Sequence, residues 1–357
     1  MSRPSLTLRV TIRVYRVQYN IDRCGKRPLA VRSKVAMRQT TEPGEDLRES
    51  RPLNSHTFES STMTSENLLP SRRELLCTAA AGVVGMLGSP AASRADERQA
   101  QTVRDKLWIW SHVAGAHNKD WEIPRPSRMT PVEGAVYLDV PNLMFIRYEG
   151  KPELPFDAFA ISFRPLKQVV CSLTGSGGDT SDEERQHVLQ LAEWFPNITG
   201  FIMDDFFNTV GKGSLSLDQL ARLQQELVIK GRKHPLYVVV YDFQLGLSIQ
   251  EHLKHCDKIT FWTWTADKLQ ELDRNFARLE EIAPDTGKLL GCYLWDYGRK
   301  RPLSLEMMQQ QCETGLQLLR AGRIEGMVFL GSNICDIELP TVEYTRKWIA
   351  EVGGQQI

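Results

Sequence analysis

From Lys106 onward the chain alternates two patterns. Apolar runs of strand length are rich in Val, Ile, Phe and Trp, and between them lie segments whose apolar residues recur every three or four positions. The runs predict strands at Leu107–Val113, Asn142–Tyr148, Gln168–Leu173, the Ile198–Phe207 stretch, Leu236–Tyr241, Lys258–Trp264, Lys288–Trp295 and Gly326–Leu330. The periodic segments predict helices over Pro131–Leu138, after Pro155, from Ser181, from Ser216, from Ser248, and over Ala266–Ile282, Ser304–Arg320 and Pro340–Val352. Start signals are written in the chain: Ser181, Ser216 and Ser248 each have Glu or Gln three residues on, the pattern of a capping box. Val188, Leu191, Ala192 and Phe195 make one apolar helix face, and Leu220, Leu223 and Leu227 make another.

Eight strands, each followed by a helix, in roughly 250 residues is the arithmetic of a (β/α)8 TIM barrel in a single domain. The strands are almost continuously apolar, as parallel strands covered by helices must be. An open doubly wound sheet would carry a glycine-rich phosphate turn after its first strand, where this chain has Ser111, His112 and Val113.

Charge changes the picture only at the N-terminus. The chain has 44 Lys and Arg against 44 Asp and Glu, yet ten basic residues crowd positions 1–38 with Asp22 as the sole acid. Residues 39–65 are polar and turn-rich, with little apolar surface to offset ordering. Then Ser71-Arg72-Arg73-Glu74-Leu75-Leu76 precedes a short apolar run, Cys77–Leu87, and the small residues of Ser89–Ala95. This resembles a twin-arginine export signal, although Glu74 and Leu75 stand where an aromatic is usual. Met63 lies just upstream. The expected organisation is therefore an over-extended or disordered start at 1–62, a signal at 63–95 and the barrel at 96–357. The resemblance implies the twin-arginine export machinery as a partner and a periplasmic or secreted location.

Past residue 95 there remain 29 basic and 36 acidic residues. That mild acidity argues against nucleic acid as a partner. No apolar run is long enough for a stable membrane anchor. Cys171, Cys256, Cys292, Cys312 and Cys335 are odd in number and widely spaced, which excludes a disulfide framework and a zinc ribbon. Cys335, in a polar loop, is the one candidate reactive thiol.

In such a barrel the chemistry gathers at the carboxyl ends of the strands. There stand His112, Arg147, Tyr148, Asp204, Asp205, Asp242, Trp262, Trp264, Trp295, Asp296, Tyr297 and Asn333. Carboxylates serve as acid, base or nucleophile, and aromatic faces stack on the C–H surfaces of sugars. In this the chain resembles glycoside-hydrolase barrels, many of which place one working carboxylate after the fourth strand and one after the seventh. The resemblance implies Asp204, Asp205 and Asp296 as catalytic residues. It makes the other nine substrate-binding residues, with a carbohydrate as partner and no cofactor or metal. Two other classes remain open. A metal-dependent hydrolase would use His112 and His117 with Asp204 or Asp205, and a non-catalytic carbohydrate-binding barrel would use the same aromatics. Because side chains alternate along a strand, Asp204 is expected to share the inward parity of Gly200 and Ile202, leaving Asp205 outside unless the strand has ended.

Overall fold

The structure is a computed structural model and describes residues 101–357. The expected start at 1–62 and the expected export signal at 63–95 lie outside the described residues. Eight parallel strands close into a barrel in sequence order: β1 Leu107–Ser111, β2 Asn142–Phe145, β3 Gln168–Thr174, β4 Ile198–Met203, β5 Leu236–Tyr241, β6 Lys258–Trp262, β7 Gly287–Tyr293 and β8 Gly326–Leu330. Closure is made by β8 against β1, from Leu107 opposite Met327 to Trp110 opposite Leu330. Helices α1 Pro131–Leu138, α2 Asp157–Ser162, α3 Asp182–Trp194, α4 Leu217–Glu226, α5 Gln250–Leu253, α6 Leu272–Ile282, α7 Leu305–Arg320 and α8 Pro340–Val352 follow the strands in turn. This is the (β/α)8 fold. The two ends of the described chain meet at the barrel floor, where Val103 N–H donates to the Gln355 carbonyl.

The helix starts obey the expected chemistry with instructive exceptions. Ser216 and Gln219 complete a reciprocal capping box on α4. Ser181 accepts from the Glu184 N–H, but the Glu184 carboxylate pairs with Arg147 instead of reaching back. Ser248 caps nothing: α5 begins at Gln250, after Ile249. Pro155 lies ahead of α2 and not within its first turn. After α4 the chain makes an unforeseen hairpin, Val228–Ile229 against Arg232–Lys233, turned by Lys230 and Gly231 at positive φ.

The barrel interior is filled. Trp110 and Trp262 meet edge to face, and Trp262 leans over Gly291, where any Cβ would fall 2.1 Å from the indole. Glycine is there for space. Outside, Phe276 and Leu279 of α6 and Val188 and Leu191 of α3 are fully buried against the strands. Removing a ring such as Phe276 would cost about 3–5 kcal/mol. Among the described residues no helix is long and apolar enough to cross a membrane. All five cysteines past residue 100 are buried and unpaired. Burial raises the Cys335 thiol pKa, and Sγ donates to the Gly331 carbonyl, so the one candidate reactive thiol is a buried, inert cysteine.

Candidate active site

Several strands end two or three residues earlier than their apolar runs suggest. β4 stops at Met203, and Asp205 turns into the left-handed region at φ 44°. Alternation therefore ends before the pair. Asp204 keeps the inward parity of Ile202, and the turn brings Asp205 to the same cavity. The cavity opens at the carboxyl end of the barrel and holds about 80 Å³, room for several waters. Its walls are aromatic: Trp110, Trp121, Tyr148, Tyr241, Trp262, Trp264, Tyr293 and Tyr297, with His112 and His117 opposite the two carboxyl groups.

Asp204 is held firmly. Its N–H donates to the Thr174 carbonyl at 3.1 Å, and Thr174 Oγ1 donates to its carbonyl at 2.8 Å. Its side chain is only 5% exposed, and Oδ1 accepts from the Asp205 N–H at 3.0 Å. Burial, then the neighbouring Asp205 charge, raises its pKa well above the ordinary 3.8. Asp204 is thus a buried carboxyl group, biased toward its protonated form, inside an aromatic pocket. Asp205 is placed as an acceptor: Oδ1 takes the Tyr241 hydroxyl at 2.7 Å and Oδ2 takes the Gly177 N–H at 2.8 Å. The loop that supplies Gly177 passes so close that a Cβ on Gly178 would sit 2.8 Å from the Asp205 carbonyl oxygen.

The histidines are neutral. The Nδ1 of His112 lies 3.0 Å from the Ile146 carbonyl, which can only accept, so Nδ1 carries the proton. Its Nε2 then accepts from the Trp110 indole at 3.3 Å. Burial lowers its pKa to about 4, and burial lowers His117 likewise. With both ring nitrogens engaged, His112 has no lone pair to offer a metal. Among the described residues no group of three or more His, Cys, Asp or Glu is placed to hold an ion.

The twelve residues read from the strand ends divide cleanly. Asp204, Asp205, His112, Tyr148, Trp262, Trp264 and Tyr297 line the cavity, and the others do not. Asp296 is buried in a turn, where its carboxylate accepts from the Ala266 and Arg299 N–H groups and from Arg301 Nε, so it does not join Asp204. Asp242 points outward and accepts from the Trp264 N–H at 2.9 Å, which fixes that indole's backbone. Arg147 spends its guanidinium on Glu184, Gly150 and Pro152. Trp295 donates to the Trp121 carbonyl at 3.0 Å and so anchors the loop carrying Trp121. Asn333 is buried away from the cavity with both amide atoms unpartnered.

Trp110, Trp121, Tyr241 and Tyr293 were not singled out as site residues. Three were findable by parity: Trp110 stands two before His112, Tyr293 two before Trp295, and Tyr241 shares the inward face of Tyr237. Trp121 lies mid-loop, and no sequence signal marks it.

The class these features define is a (β/α)8 barrel with a buried carboxyl group in an aromatic pocket. No protein-family model and no curated protein matches the chain. Solved structures do resemble it remotely. A putative alpha-L-fucosidase from Bacteroides thetaiotaomicron is 12% identical, covering 71% of this chain and 98% of that one, with TM-score 0.47. A family 5 glycoside hydrolase from Prevotella bryantii, solved with a xyloglucan tetradecasaccharide, is 12% identical over 70% and 99%, with TM-score 0.44. An aldolase barrel is 10% identical over 70% and 96%, with TM-score 0.41.

Proposed function

We propose that the protein is a glycosidase in which Asp204 is the general acid and Asp205 the partner carboxylate. The observation that carries this reading is the buried Asp204, its carboxyl pKa raised by burial, beside a hydrogen-bonded Asp205 in a pocket of aromatic rings. Rings that stack on a pyranose exclude water, and Asp204 delivers its proton to the glycosidic oxygen as the bond to the anomeric carbon breaks.

Asp204 and Asp205 are the only carboxylates among the residues lining the pocket. Consecutive residues on one strand end are poorly placed to flank a sugar from both faces, as paired-carboxylate mechanisms require. This favours attack by the substrate itself, through a neighbouring group such as the carbonyl of a 2-acetamido substituent. Asp205 retains lone pairs to accept that group's N–H and draw its oxygen toward the anomeric carbon. Asp204, deprotonated after the first step, then takes the proton of the water that opens the cyclic intermediate.

The test is a panel of 4-nitrophenyl glycosides that differ at C2. Release of nitrophenol from the 2-acetamido members, and not from their 2-hydroxy counterparts, is the expected result. Sugar binding without turnover of any member would leave a non-catalytic binding barrel; activity lost in chelator and restored by zinc would return the metal-dependent class.

The location belongs to the same proposal. A chain starting at Met63 is expected to be exported and shortened near Ala95. Replacing Arg72 and Arg73 together by Lys should hold it in the cytoplasm, and periplasmic recovery of that double variant would refute twin-arginine export.

A further inference from the structure

A second concavity begins where the pocket ends. A groove of about 560 Å³ runs outward from Asp205 and Tyr241, which line both spaces, over the loop that follows β4. Its floor is Phe243, whose ring lies parallel to Tyr241 with centroids 5.3 Å apart and an interplanar angle of 6°. Phe243 is nonetheless 54% exposed, so one ring face is braced and the other is bare.

The far wall is preformed. Asn208 N–H donates to the Lys212 carbonyl at 3.0 Å, and Asn208 Oδ1 accepts from the N–H groups of Val210 and Lys212. Gln244 ties this loop to β5: Oε1 accepts from Tyr241 N–H and Nε2 donates to the Phe207 carbonyl. Phe206 packs so tightly under Gly213 that a Cβ there would meet the ring at 2.5 Å. The groove-lining charges are Asp205 and Lys212, and the Lys212 ammonium makes no salt bridge among the described residues. An ammonium without an ion-pair partner, an exposed aromatic face and an adjoining carboxyl pair fit one occupant.

We infer that this groove is the leaving-group subsite and that the natural substrate is an oligosaccharide of two or more units. The departing sugar stacks on Phe243, with its ring oxygens toward Lys212. The inference rests on the pocket reading above and deepens it. A roughly tenfold affinity gain from that stacking corresponds to about 1.4 kcal/mol.

Calorimetry on the Asp204→Asn variant, with N-acetylglucosamine and chitotriose as probes, separates the two spaces. The expected result is chitotriose binding roughly tenfold tighter than the monosaccharide. Phe243→Ala should erase that gain without altering monosaccharide affinity, and Phe243→Trp should restore it. No gain in the parent, or a gain that survives Phe243→Ala, overturns the subsite. Failure of both sugars to bind overturns the pocket reading from which it follows, a distinguishable outcome.

Discussion

The two ends of the barrel treat ionisable groups in opposite ways. At the floor, Asp105, Asp257 and Lys258 keep their charge and are paired. The Thr102 N–H and then Lys167 bring Asp105 down to about 2. Burial works against Asp257, yet the Leu236 N–H and Lys233 hold its carboxyl below the usual range. Burial also opposes Lys258, and Tyr237 and Glu325 outweigh it and raise its pKa. Among the groups lining the pocket at the mouth, every shifted one moves toward its neutral form. Burial raises Asp204, Tyr241, Tyr293 and Tyr297, brings Tyr148 to about 12, and lowers His112 and His117. Ion pairs at the floor hold the strand starts; on the proposed reading, the neutralised groups at the mouth hold protons ready for transfer, which would put stability and chemistry at opposite ends of one barrel.

The sharpest way to break this comparison is Asp204→Asn. Removing the proton donor should lower kcat by about 10³ or more with KM nearly unchanged. Stability should move the other way. The folded pKa of Asp204 lies above the unfolded value of 3.8, so its burial lowers stability increasingly as pH rises from 3.8 toward the folded value. The variant should therefore unfold at the same or higher denaturant at pH 7, with the difference vanishing below pH 3.8. A destabilised, still active Asp204→Asn would refute the assignment.

Much of this was legible in the sequence, and the misses have a physical pattern. Pro131–Leu138, Leu236–Tyr241, Gly326–Leu330 and Pro340–Val352 have the predicted bounds, because period and punctuation agree there. Apolar runs overshoot at the mouth: β6 stops at Trp262 and β7 at Tyr293, since pocket walls are as apolar as strand interiors. Asp296 and Asp242 look like Asp204 in sequence. What separates them is the direction of a turn and the N–H groups it presents, neither of which a linear pattern encodes. Asp205 reaches the pocket through one left-handed residue, a geometry that Asp adopts more readily than most.

The histidines test the mouth by pH. His112 is folded in the neutral form with its pKa lowered from 6.5 to about 4, so its contribution is complete above pH 6.5 and is lost as pH falls toward 4. The loss amounts to roughly 3 kcal/mol, one unit being about 1.4 kcal/mol. His112→Asn can keep a donor toward the Ile146 carbonyl without titrating. Denaturant melts between pH 7 and pH 4 should then show a shallower acid decline than the parent, and parallel curves would mean that His112 is not buried neutral.

A smaller effect concerns how Asp205 is held. Tyr241→Phe removes one of its two hydrogen bonds and leaves the ring stacked under Phe243. The expected loss is about tenfold in kcat, the upper end of the roughly 0.5–1.5 kcal/mol that a hydrogen bond contributes. Chitotriose affinity should stay unchanged. A loss confined to affinity would place Tyr241 in the groove alone.

The smallest expected effect completes the contrast from the floor. Glu325 meets Lys258 at 2.7 Å, but its side chain is half exposed, so solvent screens the pair. Glu325→Gln keeps the shape and removes the charge. The change in stability should fall between about 0.2 and 1 kcal/mol, shrinking further in high salt. Turnover should remain within about twofold of the parent, because the barrel filling of Trp110 and Trp262 lies between the floor and the pocket. Denaturant midpoints at low and high salt, with kcat measured in parallel, check both halves. A loss of turnover comparable with Tyr241→Phe would mean that the field of the floor pairs reaches Asp204, and the division between the two ends would fail.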